Sequence, residues 1–281
     1  MNTTGTENTV LKRIQQAELY LLVSFDKVCR ENGMTYFLDS GTALGAVRHG
    51  GFIPWDDDID VGMPRKDYER FMQMGQNLLP SNIFLQNRDT EANYLRYAAK
   101  LRLEGTIFPE TDELPYQHNG IFIDIFPFDN IPSNRFLAKL NVNYVVELCH
   151  IVRAYRMEGD SESPSRLKQM LNRINKKLPK HWIDRIEDYV LRYARRNENK
   201  NTGKMTCYFW RMSQTKQYLF DTSRMLPVKD ISFDNNTVKI MKDPDHYLKL
   251  MYGDYMKLPP EDQRKTHHKR EVDFGGFQVN N

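Results

Sequence analysis

The sequence predicts an α+β fold, with a mixed β-sheet core flanked by helices, a helical middle region and a small C-terminal segment of hairpin and helix. Three observations carry this. Apolar residues recur at helical spacing over 9–30, at Val10, Ile14, Ala17, Leu21, Phe25 and Val28. Short apolar runs bounded by Gly, Pro, Asn and Asp then recur through the first 130 residues, as strands do. Beyond Pro132 the spacing becomes helical up to Arg195.

In order, Thr9 is placed to cap the first helix and Gly33 to end it. A short strand follows over 34–38, then the small-residue turn Ser40-Gly41-Thr42 and a helix over 43–48 that Gly50-Gly51 breaks. A strand over 59–63 leads to Pro64, which suits the first turn of a helix carrying Tyr68, Phe71 and Leu78 inward. Further strands are expected over 83–86, 94–103 and 121–126. The middle region reads as helices over 136–157, 166–178 and 182–195, with a linker over 161–165. Strands over 228–233 and 237–241 flank Asp234-Asn235-Asn236, a hairpin turn, and Asp243-Pro244 starts a helix ending before Gly253. The domain boundaries drawn from this are 1–132, 133–205 and 206–281.

At 281 residues, 40% hydrophobic and 12% aromatic, the chain is too apolar for disorder and long enough to hide roughly three quarters of its unfolded surface. Its 40 Lys+Arg against 37 Asp+Glu give a net of +3, too small an excess for a nucleic-acid binder, and no nucleic-acid partner is expected. Such a charge is compatible with anionic substrates or a membrane surface. Cys29, Cys149 and Cys207 are odd in number and far apart, which points to free thiols in a reducing compartment. The first nine residues lack an apolar signal region, and no run approaches the roughly 20 apolar residues of a membrane span. A soluble, cytoplasmic protein is expected.

The chemistry concentrates in Trp55-Asp56-Asp57-Asp58-Ile59-Asp60-Val61. On a strand, side chains alternate, so Asp58 and Asp60 point to one face, joined by Asp56 if the extended conformation begins that early. Like charges held so close repel, and a divalent cation between them resolves the conflict. All-oxygen ligands favour a hard ion such as magnesium. Asp56, Asp58 and Asp60 also have the 1-3-5 spacing of a calcium loop, but Val61 stands where that loop needs Gly and Asp67 where it needs Glu. An acidic turn facing water is disfavoured by the interleaved Ile59 and Val61.

Asp124 lies within Ile121-Phe122-Ile123-Asp124-Ile125-Phe126, where a lone charge would be costly. It is either the partner of a buried basic residue or a third acid beside Asp58 and Asp60. The turn at Gly41 and Thr42, feeding a helix, offers free N–H groups to a phosphate. Arg48 and Lys100 are candidate phosphate clamps.

The blocks Tyr36-Phe37-Leu38-Asp39-Ser40-Gly41-Thr42-Ala43-Leu44-Gly45-Ala46-Val47-Arg48-His49 and Gly51-Phe52-Ile53-Pro54-Trp55-Asp56-Asp57-Asp58-Ile59-Asp60-Val61-Gly62-Met63-Pro64-Arg65 resemble the signature of the LicD family. So do the segments from Gly120 to Asp129 and from Tyr252 to Pro260, with Arg264 and His267-His268 after them. Ser40 departs from the pattern, since many members carry Gly there. The resemblance implies a nucleotidyltransferase-like fold whose core is 1–132, related to the fukutin-type ribitol-phosphate transferases. It implies transfer of a phosphorylated alcohol, phosphocholine from CDP-choline above all, onto a glycan or glycolipid acceptor such as a teichoic acid, lipopolysaccharide or capsule precursor. Ribitol, glycerol or ethanolamine phosphate are the alternatives, as is a nucleotide-binding domain without catalysis. By the same resemblance Asp58 and Asp60 hold Mg2+ with Asp56 close by, Gly41 and Thr42 take the donor phosphate, and Asp124 is a third acid. Arg264, His267 and His268 become substrate-binding candidates. Peripheral association with the inner face of the membrane is a further expectation.

Overall fold

A computed structural model describes residues 3–91, 94, 96–109, 118–156, 177–200, 202–208, 219–266 and 272–278. It contains two compact units, one formed by 1–127 with 222–281 and the other by 128–221.

The first unit is a mixed sheet with helices. Helix α1 (Thr3–Glu31) buries Leu11, Ile14, Ala17, Leu21, Leu22, Phe25 and Val28 along one stripe. It starts six residues before the expected cap, so Thr9 lies within it, although 3–8 hold Gly5 and the weak helix formers Thr3, Thr4, Thr6 and Asn8. Gly33, at φ 60, ends it as expected. Strand β1 (Phe37–Leu38) is shorter than the apolar run 34–38. Helix α2 (Ser40–His49) begins at Ser40, so Ser40-Gly41-Thr42 is its first turn and not a separate loop.

Strand β2 (Asp60–Pro64) begins at Asp60, leaving Asp56 and Asp58 in the preceding loop. The alternation argument for Asp58 therefore fails as stated, although Asp58 and Asp60 remain electrostatic neighbours. Helix α3 (Arg65–Leu78) buries Tyr68 and Phe71, but Leu78 is exposed where an inward position was expected. Strands β3 (Ile83–Gln86), β4 (Ala99–Leu103) and β5 (Phe122–Asn130) follow. Strand β4 is shorter than the run 94–103 because its ladder to β3 spans only Lys100 to Leu103 and that to β5 only Ala99 to Arg102.

Strands β8 (Lys229–Phe233) and β9 (Asn236–Ile240) form the predicted hairpin. Asp234 and Asn235 both take positive φ, so two residues make the turn and Asn236 enters the strand. Helix α6 (Thr222–Met225) is short, and α7 (Pro244–Tyr252) is capped by Asp243, whose carboxylate accepts the His246 N–H. The order of the sheet is β3-β4-β5-β2-β1-β9-β8. Leu38 of β1 pairs antiparallel with Val61 and parallel with Ile240, which puts the acid-bearing loop and the C-terminal hairpin on either side of the β1–α2 turn.

In the second unit, helices α4 (Arg135–Arg156) and α5 (Lys180–Arg195) pack together, and β6 (Lys204–Thr206) joins Asp129 and Asn130 to β7 (Phe220–Asp221). The expected linker 161–165 and nearly all of the helix 166–178 lie outside the described residues. Cys29, Cys149 and Cys207 are buried free thiols, and burial pushes the Cys149 thiol up to about 12. No described helix is long and apolar enough to cross a membrane.

Candidate active site

The β1–α2 turn organises the first unit. Asp39, fully buried, precedes α2 and accepts a short hydrogen bond from the Tyr247 hydroxyl, while that same hydroxyl receives the Ser40 N–H at 3.2 Å. Burial raises the Tyr247 hydroxyl first and Asp39 second, so it stays protonated as the donor. Ser40 itself has φ 44, a left-handed conformation that favours glycine.

Gly41 is small because a Cβ there would lie 3.1 Å from Asp56 Oδ2. The Asp56 carboxylate thus rests against the first turn of α2, where helix N–H groups favour a negative charge. The buried hydroxyl of Thr42 accepts the Asp60 N–H at 2.8 Å, tying the turn directly to the acid strand. Gly45 allows α2 to approach the next turn, since a Cβ would stand 2.5 Å from Gly51 O.

Asp58 and Asp60 are half-buried, and Asp56 and Asp57 are buried. The Asp60 carboxyl is held well above the usual range, first by burial and then by Asp58, Asp124, Asp39 and Asp56. Asp124 therefore does reach the Asp60 field. It also sits opposite Lys100 in the β4–β5 register, with Lys100 Nζ 2.8 Å from Asp124 Oδ1. Lys100 is fully buried and lies 3.5 Å from the centre of the Phe122 ring. Among the described residues, no three His, Cys, Asp or Glu side chains stand as a ready-made set for a metal ion.

The basic candidates meet elsewhere around α2. Arg48 donates to Tyr255 O at 2.8 Å, and its guanidinium is depressed by burial and next by the nearby charge of Arg264. Arg264 donates to Pro259 O and lies 5.4 Å from the centre of the Trp55 ring. His49, edge-on to Trp55, is lowered by burial and by Arg48. His267 and His268 lie outside the described residues.

Two residues escaped the sequence reading. Tyr252 is 41% exposed, and its hydroxyl is raised by burial and then by the charges of Asp39, Asp60, Asp56 and Asp58. Glu18 on α1 is fully buried, and both of its carboxylate oxygens lack a hydrogen-bond partner. Burial raises it most, followed by Asp58, Asp57, Asp56 and Asp60. The signal was an acid on the apolar stripe between Ile14 and Leu21. Three residues earlier, Gln15 Nε2 donates to Asp56 O at 2.8 Å, so α1 braces the acidic loop. Of the aromatic rings that could face an ammonium, Tyr36 and Tyr94 are buried, Trp55 is half-buried beneath Arg264, and Tyr116 is outside the described residues.

Residues 33–144 match the model of the LicD/FKTN/FKRP nucleotidyltransferase domain. The chain is 27% identical over 270 residues to the lipopolysaccharide cholinephosphotransferase LicD of Haemophilus influenzae, covering 93% of this chain and 97% of that protein. It is 30% identical over 111 residues to human ribitol 5-phosphate transferase FKRP, covering 38% of this chain and 19% of that one. A stretch of 54 residues is 43% identical to an uncharacterized protein of Rickettsia typhi, covering 19% of this chain and 18% of that protein.

Proposed function

We propose that this chain, which carries a LicD-type nucleotidyltransferase domain over residues 33–144, is a phosphotransferase moving a phospho-alcohol from a CDP-linked donor to a sugar hydroxyl of a cell-surface glycan. The donor favoured is CDP-choline, because the cholinephosphotransferase relative aligns along nearly the whole chain. The ribitol transferase aligns over a shorter part, which makes ribitol phosphate the second reading. Cytoplasmic action at the inner face of the membrane belongs to the same proposal.

The observation that carries it is the β1–α2 turn, where the Thr42 hydroxyl accepts the Asp60 N–H at 2.8 Å and the Asp56 carboxylate meets Gly41, with Arg48 of the same helix in the field of Arg264. A pyrophosphate with an associated cation has that polarity. Asp58 and Asp60 would hold magnesium, an ion that takes one or two carboxylates with phosphate oxygens and water and needs no all-protein cage. Both supply oxygen donors alone, the chemistry such a hard ion takes, and both are only half-buried, so the donor set fits. When bound, magnesium supplies charge neutralisation on the phosphate oxygens.

The chain's own residues do the rest. Arg48 and Arg264 take phosphate oxygens, and the first turn of α2 at Gly41 and Thr42 presents N–H groups to the same anion. The acceptor oxygen forms a bond to the phosphorus bearing the alcohol, the bond to the bridging oxygen breaks, and CMP leaves with that electron pair. The hydroxyl proton passes to a carboxylate of the cluster. The exposed Tyr252 ring offers a π-face to a quaternary ammonium, which has no N–H to donate. Lys100 is read as the partner that fixes Asp124, and its role toward phosphate is indirect.

The test is CMP release from CDP-choline, CDP-ethanolamine, CDP-ribitol and CDP-glycerol with magnesium and a glycan acceptor. Preference for CDP-choline is expected. Preference for a polyol donor would sink the choline assignment alone, and no CMP from any donor would sink the transferase reading.

A further inference from the structure

We infer that the exposed face of α4 and α5 docks on the surface of an anionic lipid bilayer. Helix α4 is apolar on two sides. Ala138, Val142, Val145 and Val146 are buried, whereas Phe136, Leu137, Leu140 and Tyr144 are exposed, at 69%, 53%, 52% and 48%. The exposed four fall within one face of a helix with 3.6 residues per turn, interrupted there by exposed Glu147, and half-buried Ile151 and Tyr155 extend that stripe. Helix α5 adds Trp182, 55% exposed, and Tyr189, 40% exposed, one above the other seven residues apart. Ring contacts join the helices into one patch, with Tyr144 edge-on to Tyr189 at 6.3 Å and to Tyr193 at 5.8 Å.

The charge around this patch selects the partner. Along α5, exposed Arg185, Arg192 and Arg196 line one edge of the aromatic stripe, and Arg196 covers the Tyr193 ring at 4.0 Å. Arg135 and Lys139 are exposed beside Phe136 on α4. By sequence, the unit 128–221 holds 18 basic and 10 acidic residues, a net of +8, in a chain whose total is only +3. Aromatic and aliphatic side chains rimmed by arginine are what a helix lying in the headgroup region presents, apolar groups to the acyl boundary and cations to anionic headgroups. A second copy of so basic a unit would be repelled. A nucleic acid would satisfy the arginines but offers no hydrocarbon to cover Leu137 and Leu140. The inference stands on this surface alone and does not depend on the transfer reaction.

The experiment is co-sedimentation of the full chain with vesicles of phosphatidylglycerol and phosphatidylcholine, against vesicles of phosphatidylcholine alone. Binding to the anionic vesicles that weakens with salt is expected. Arg185→Gln with Arg192→Gln should weaken it about five-fold per cation, the equivalent of about 1 kcal/mol each. Leu140→Ser with Trp182→Ala should weaken it further without lowering the melting temperature, since both side chains are exposed. The inference is overturned if the chain ignores anionic vesicles, or if binding is indifferent to both pairs of changes. It is also overturned if Leu140→Ser with Trp182→Ala instead dissolves a dimer seen in solution, which would make a second copy the occupant.

Discussion

Lys100 stands directly opposite Asp124 between β4 and β5, its Nζ 2.8 Å from Asp124 Oδ1 and fully removed from water. Asp124→Asn keeps the shape of the side chain but removes the charge facing a buried ammonium. A loss of about 3–5 kcal/mol is expected, read as a sharp drop in melting temperature. Lys100→Met added to Asp124→Asn should recover most of it. A single variant that melts like the wild type and is inactive would instead make Asp124 a catalytic acid without a structural role.

Asp58→Asn and Asp60→Asn each remove a proposed magnesium ligand and relieve repulsion within the acidic cluster. CMP release is expected to fall by orders of magnitude, while the melting temperature with chelator holds or rises. Magnesium should raise the melting temperature of the wild type, because an ion binding only the folded state stabilises it, and should do little for either variant. Turnover close to wild type at saturating magnesium would remove the residue from the metal site.

Glu18 gives a pH signature. Its carboxyl is raised by burial and by the four aspartates, so the folded chain holds this proton more tightly than the unfolded chain. Below the unfolded value, about 4.3, both states are protonated and Glu18 carries no penalty. As pH rises past it the unfolded state alone releases the proton, and stability is lost until the folded value is reached. Glu18→Gln removes this term. The melting temperature of the variant minus that of the wild type should therefore grow from pH 4 toward neutrality. A difference independent of pH would show that Glu18 is not held protonated.

Ser40 carries a positive φ that costs an L-residue about 1–2 kcal/mol, against about 0.5–1 kcal/mol for the greater unfolded freedom of glycine. Ser40→Gly is expected to stabilise by about 0.5–1 kcal/mol in a denaturant titration, and Ser40→Ala is not. Equal effects of the two changes would mean that the backbone there is unstrained.

The elements with strong local signals were legible. The apolar stripe of α1, the hairpin turn at Asp234-Asn235 and the Asp243 cap each encode their structure within a few residues, and the structure follows them. Element ends were less so. The β2 strand starts at Asp60, whose carbonyl accepts the Asp39 N–H at the end of the β1 ladder, a tertiary fact that alternation at Asp58 does not contain. The acidic cluster was visible as a run, whereas Arg48 and Arg264 were visible singly as binding candidates and not as neighbours. Arg48 and Arg264 are far apart in the chain and are brought together by the packing of 252–264 against α2. Glu18 was hidden by the stripe it sits on, since a single acid among Ile14, Ala17 and Leu21 does not disturb a helical reading.

The closure of β1 against β9 has a consequence for the newborn chain. Leu38 finds its parallel partner at Ile240, and Asp39 its hydroxyl donor at Tyr247, 208 residues downstream. The Gly50–Phe52 turn ahead of the acids also waits for the hairpin, because Asp234 N–H donates to Gly50 O and the Asp234 carboxylate accepts the Phe52 N–H. At 5–20 residues per second, the ribosome needs roughly 10–40 s to deliver that hairpin after the first strand has emerged. Throughout that interval α1, β1 and β5 already stand beside the acidic loop, but Asp39 lacks its hydroxyl donor and the Gly50–Phe52 turn lacks Asp234. The buried carboxylate of Asp39 is thus the charge whose shelter comes late, when the hairpin and the helix after it arrive.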